Sequence, residues 1–168
     1  MNEMPGAAAG SAPSEPVAAY EVDVVAWADR QASLLRRVAA GEKVNDAVDW
    51  ENVAEEIESV GQSERRSLAS HVRTVLEHLA KLEVSPAIDP RAGWQDTVSR
   101  ARSDIEDLLK ASPSLRSRLD AIVAEQLPRA LKLAASSLAY HGGTTRVPLD
   151  AVRYTTDQVI ADWFPPKF

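Results

Sequence analysis

Residues 49–83 read DWENVAEEIESVGQSERRSLASHVRTVLEHLAKLE, and the fold class turns on how that stretch is read. Apolar residues recur at Val53, Ile57, Val60, Leu68, Val72, Val75, Leu76, Leu79 and Leu82, the three-and-four spacing of one helical face. Asp49 is placed to cap the start, and Glu51, Glu55, Glu56 and Glu58 follow where the helix dipole favours negative charge. Pro86 and Pro90 end it. A straight helix of this length would be a rod of roughly 50 Å. A bend near Gly61 is therefore expected, glycine beside a serine being a usual place for one.

Working outward, the preceding segment carries a second helical pattern from Tyr20 through Val24, Trp27, Leu34 and Val38. Asp23 fits its N-cap and Gly41 the left-handed residue just past its end. Beyond the prolines, a third helix is expected from Asp89–Pro90, with Trp94, Val98, Ile105, Leu108 and Leu109 on its apolar face. Ser112–Pro113 reads as cap and first residue of a fourth, which runs to about Tyr140 and closes at Gly142–Gly143. Pro128 inside it predicts a kink. Thr155 and Gln158 match a capping box for a short last helix. No alternating run suggests a strand. The expected fold is all-α: four main helices in a bundle-like single domain over 19–168, plus a short C-terminal helix. Residues 1–18, rich in Ala, Gly, Pro and Ser, are expected to form a flexible tail.

Composition narrows the function classes. The chain has 168 residues, no cysteine and a net charge of −6. Without cysteine there is no disulfide, thiol nucleophile or thiolate metal site. Residues 1–84 hold 8 basic and 15 acidic side chains (−7), and residues 85–168 hold 11 and 10 (+1). Nothing in that distribution suits the phosphate backbone of a duplex, so nucleic acid is not expected as a partner. No apolar run approaches the ~20 residues that span a bilayer, and no signal peptide is evident. A cytoplasmic protein without membrane contact is the expectation.

Three polar residues fall on or beside the inward stripe of residues 49–83: Glu64, His71 and His78, seven apart. Glu64 is expected to be largely buried and bonded to a residue of another helix, because a buried carboxylate must find a partner. Seven residues separate side chains by about 10.5 Å along the axis, too far for His71 and His78 to share one ion. The Glu-x-x-His pattern of helical metal sites is absent, as is His-Glu-x-x-His, so neither a metal nor another cofactor is expected. Glu55 and Glu58, with Arg65 within reach of their line, are weaker candidates and read mainly as a solvated face. Arg100, Arg102, Arg116 and Arg118 make a possible anion patch, though Asp104, Glu106 and Asp107 beside them point to ordinary surface pairing. The four tryptophans read as packing groups.

These residues also carry a resemblance. Asp49–Trp50–Glu51–Asn52, Ala54–Glu55–Glu56–Ile57–Glu58 and Gly61–Gln62–Ser63–Glu64–Arg65–Arg66 look like the bacterial domain-of-unknown-function family numbered twenty-nine. Tyr20–Glu21–Val22–Asp23, Leu76–Glu77–His78–Leu79–Ala80–Lys81–Leu82, Trp94 and Tyr154–Thr155–Thr156–Asp157–Gln158–Val159 extend the similarity over about residues 20–166. The resemblance implies an almost wholly helical bacterial protein and supplies no catalytic residues. The expected function is binding, to a protein partner or to itself as a homodimer, without catalysis. The alternative is a metal-dependent hydrolase or other enzyme that draws on Glu55, Glu58 or Glu64 with His71 or His78.

Overall fold

Asp23 opens the first helix as expected: its carboxylate accepts from the backbone N–H groups of Val25 and Ala26. In the computed structural model, which describes residues 20–166, this helix (α1) spans Val24–Ala39, and Gly41 follows it at φ 86°. The proposed tail at 1–18 lies outside the described residues. The long helix α2 runs Trp50–Val84, then α3 Arg91–Ala111, α4 Leu119–Tyr140 and α5 Thr156–Ile160, with short 3-10 turns at 45–47, 113–118 and 149–151. No strand occurs among the described residues, so the all-helical expectation of four main helices and a short last one holds. α1 begins at Val24, directly after its expected Asp23 cap. Two boundaries differ in detail. Pro90 itself occupies the N-cap position of α3, with no side-chain cap. Residues Pro113–Arg118 form a 3-10 helix ahead of α4, closed by bonds such as Leu115 N–H to Ser112 O at 3.0 Å.

The chain divides into two compact units, residues 1–58 and 59–168. The described part of the first unit is built from α1, the turn at 45–47 and the first residues of α2. Its core is small: Trp27, Leu34, Val48 and Val53, with Tyr20, Leu35, Val38 and Val44 against it. Asp49 ties these parts together. Its carboxylate receives the Trp27 indole N–H (3.1 Å) and the Asn52 side-chain amide (2.7 Å), while its own backbone N–H donates to Gln31 Oε1 (2.9 Å). The Asn52 amide is the main reason the Asp49 carboxyl sits below its usual range, with the indole adding to the effect. Tyr20 lies edge-on to Trp27 at 4.9 Å and donates its hydroxyl to Glu56 at 2.6 Å.

The second unit holds the larger core. Leu68, Val72, Val75, Leu76, Leu79 and Ala80 of α2 are fully enclosed, joined by Val98, Ala101, Ile105 and Leu109 of α3 and by Leu119, Val123, Ala130, Ala134 and Leu138 of α4. Each buried leucine or valine contributes on the order of 1.5–3 kcal/mol. α4 is helical through Pro128. It closes as the two glycines suggested: Gly142 takes φ 67°, and Gly143 N–H reaches Leu138 O at 2.8 Å. The capping box of α5 forms from Thr155 and Gln158, as expected.

Candidate functional site

Glu64, His71 and His78 all stand on α2, so no tertiary fold can gather them; each meets a different environment. The inward stripe starts later than its sequence suggested. Ile57 is 70% exposed and Val60 67%, and full enclosure begins at Leu68. Glu64 therefore falls one turn outside the core. The expected burial of Glu64 is not met, nor is the expected bond to another helix: it is half-buried, without a hydrogen bond or ion pair among the described residues. It lines a cleft of about 470 Å³ with Gly61, Arg65, Ser114 and Arg118.

His71 is partly exposed, and its Nδ1 lies 3.3 Å from Asp104 Oδ2 on α3. His78 is held by its own helix. Its Nδ1 lies 3.0 Å from Thr74 O, and since a carbonyl only accepts, Nδ1 carries the hydrogen. Burial pushes the His78 pKa down; the hydrogen bond with Thr74 opposes it, nearby Lys81 adds to the lowering and Glu77 works against it. A depressed histidine pKa gives stability that is present above the unfolded value of 6.5 and lost as pH falls through the folded one. Urea unfolding at pH 7.5 and 5.0 should therefore show a smaller acid loss for His78→Gln than for the parent. Equal losses would mean that the imidazole does not report on burial.

Glu55 and Glu58 lie on the exposed side of α2, as a solvated face requires. No three His, Asp or Glu side chains among the described residues come together as metal ligands do. Trp50 departs from the packing role expected of the tryptophans: it is half-exposed, with its indole N–H on Asn45 O at 3.3 Å.

The possible anion patch is split apart. Arg102 points inward on α3, and its guanidinium grips the C-terminal segment: Nε donates to Val159 O (2.9 Å), and Nη2 to Gln158 O (2.8 Å) and Trp163 O (2.7 Å). The Phe164 ring lies 5.0 Å away, and Nη1 is enclosed without a partner. Burial lowers the Arg102 pKa, and Asp162 opposes the shift. The adjoining cleft, about 540 Å³, sets Arg102 and Arg116 against Glu106 and Asp162, so its charges balance.

Arg118 belongs to a second cleft, also of about 540 Å³, formed by α2 with the 113–118 turn and α4. Here the charges do not balance. Arg65, Arg66, Arg73, Arg118 and Arg129 line it, with Glu125 the one carboxylate among the lining residues. Among the described residues Arg73 is the one held by hydrogen bonds, donating to buried Gln126 Oε1 (3.2 Å) and to Ser70 Oγ (3.3 Å), while Arg129 lies 3.9 Å from Glu125. Arg65 and Arg118 were singled out in the sequence, but in different groupings. Arg66, Arg73 and Arg129 are missed because they come from α2 and α4, far apart in the chain and unremarkable singly.

Two polar contacts inside the second unit also escape a sequence reading. Lys81 lies against Glu77 at 2.5 Å, with only 6% and 18% of the two side chains exposed. Tyr154 donates its hydroxyl to Glu83 at 2.6 Å while its ring meets Trp163 edge-on; burial, then Glu83, pushes its pKa far above the usual phenol range.

The fold and its clefts thus define a small helical protein, and among the described residues no helix is long and apolar enough to cross a membrane. A family described as "Domain of unknown function DUF29" matches residues 19–164, and the chain belongs to that family. Neither a characterised protein nor a solved structure matches the chain.

Proposed function

We propose that the chain is a small helical binding module that acts without catalysis, by docking a protein partner or a second copy of itself. The supporting observation is where apolar surface is left uncovered. Val22, Val24, Val25, Trp50 and Ile57 are all exposed in the first unit, whose core has four buried apolar side chains among the described residues. Exposed apolar side chains concentrated beside so small a core are the kind of surface that association covers. The cysteine-free composition suits a reducing cytoplasm.

The enzymatic alternative has less behind it. Its carboxylates and histidines are strung along one helix, and their one contact with another helix is His71 with Asp104. Sedimentation velocity tests the binding reading. The parent chain should self-associate at micromolar concentrations, or cross-link to one defined protein. The double variant V25D/I57D should weaken that association by roughly tenfold or more, with its helical circular dichroism unchanged. A chain that stays monomeric and captures no defined protein, or that associates equally well with both aspartates present, would defeat the proposal.

A further inference from the structure

We propose that the arginine-lined cleft of α2, the 113–118 turn and α4 is a docking groove for an acidic segment of a partner protein. The cleft is strongly basic. Five guanidiniums face one carboxylate in a protein whose overall charge is −6. That carboxylate neutralises little: Glu125 is 3.9 Å from Arg129, and both side chains are about two-thirds exposed. Arg65, Arg66 and Arg118 make no hydrogen bond or ion pair among the described residues, so their donors stay available. Guanidinium forks accept carboxylates two bonds at a time, which favours arginine over lysine for this task.

On α2 the arginines run from 65 to 73, and on α4 with its leading turn from 118 to 129. At 1.5 Å per residue these spans are roughly 12 and 16 Å. A single phosphate would be met by guanidiniums converging on one point. This spread suits several anionic groups along an extended or helical segment.

Ala69, Ala121 and Ile122 line the cleft together with the arginines, apolar surface that can seat one aliphatic side chain of the ligand. No aromatic side chain lines the cleft, so the stacking platforms of single-stranded nucleic-acid grooves are missing. Arg73 is pre-set by Gln126, which gives the groove one oriented fork before anything binds. Together these features favour a peptide that carries several carboxylates and an aliphatic residue over a bare phosphate or an oligonucleotide. The groove lies within the second unit and does not rest on the apolar surface of the first, so either proposal can fail alone.

The test is fluorescence anisotropy with the full chain and a labelled Asp/Glu-rich peptide of about twelve residues, bearing one central leucine. Binding should be saturable at micromolar concentrations and should weaken as salt rises. Arg66→Glu and Arg118→Glu, both at exposed positions, should each weaken it roughly tenfold, and Arg66→Gln by less. Arg100→Glu, exposed on α3 and outside the groove, should change it less than about twofold. Replacing the leucine of the peptide by serine should weaken binding further if that apolar surface is used. Tripolyphosphate or a single-stranded oligonucleotide of matched charge binding more tightly than the peptide would overturn the assignment. Equal losses at Arg66 and Arg100 would overturn it too, since that pattern means diffuse attraction rather than a groove. Melting curves of each variant guard against reading unfolding as lost affinity.

Discussion

Arg102→Met should lower stability by about 3 kcal/mol or more, one of the two largest effects expected of a polar substitution in this chain. The variant keeps most of the side-chain volume but removes every donor. The carbonyls of Gln158, Val159 and Trp163, now satisfied by one guanidinium, would be left without that partner. Phe164 would lose the cation near its ring. For a protein of this size the melting midpoint should fall by roughly 6–12 °C. Arg102→Lys should recover little, because one ammonium on a flexible stem cannot reach three carbonyls in a planar fork. A thermal melt of the two variants decides the matter: a methionine variant as stable as the parent would show that the C-terminal segment is held by its apolar contacts alone.

Glu77 and Lys81 should behave asymmetrically. Glu77→Gln leaves an ammonium, 94% buried by its 6% exposure, without its neutralising carboxylate, at a cost of about 3 kcal/mol. Lys81→Met removes the charge, keeps the aliphatic stem and frees the partly exposed Glu77 to solvate, so it should be near neutral or mildly stabilising. The double variant should resemble Lys81→Met. Denaturant titration of the three proteins supplies the cycle. Equal losses for the two single variants would show that the pair is worth more than its desolvation, contrary to this account.

Helix number, order and most caps were legible because they depend on local spacing. Asp23, Gly41, Gly142–Gly143 and the Thr155–Gln158 box each act within a few residues of themselves. Depth of burial was less legible. Ile57 and Glu64 share a stripe with Leu68, yet the enclosing core begins only at Leu68, and spacing along one helix does not say where a neighbour starts to cover it. Arg102 did leave a signal. It lies four residues after Val98 and three before Ile105, on the apolar stripe of α3, where a charged residue must find buried partners. Those partners are backbone carbonyls almost sixty positions later, which no sequence spacing points to. Of the arginine groove only Arg65 and Arg118 stood out singly, and nothing joined them, since the groove exists only once residues of α2 and α4 come together.

The grip of Arg102 on residues 158–163, and of Glu83 on Tyr154, also bears on the order in which the chain becomes native. Both contacts join positions 56 to 71 residues apart, whereas the caps and helices that precede them are local. Loop closure over such distances is entropically slower to gain than any helical turn. On a ribosome the partners of Arg102 emerge almost sixty residues after it, so α3 keeps a hydrated guanidinium until they appear. Residues 158–163 then act as the closing latch of the second unit, which should become resistant to proteases only when that latch has engaged.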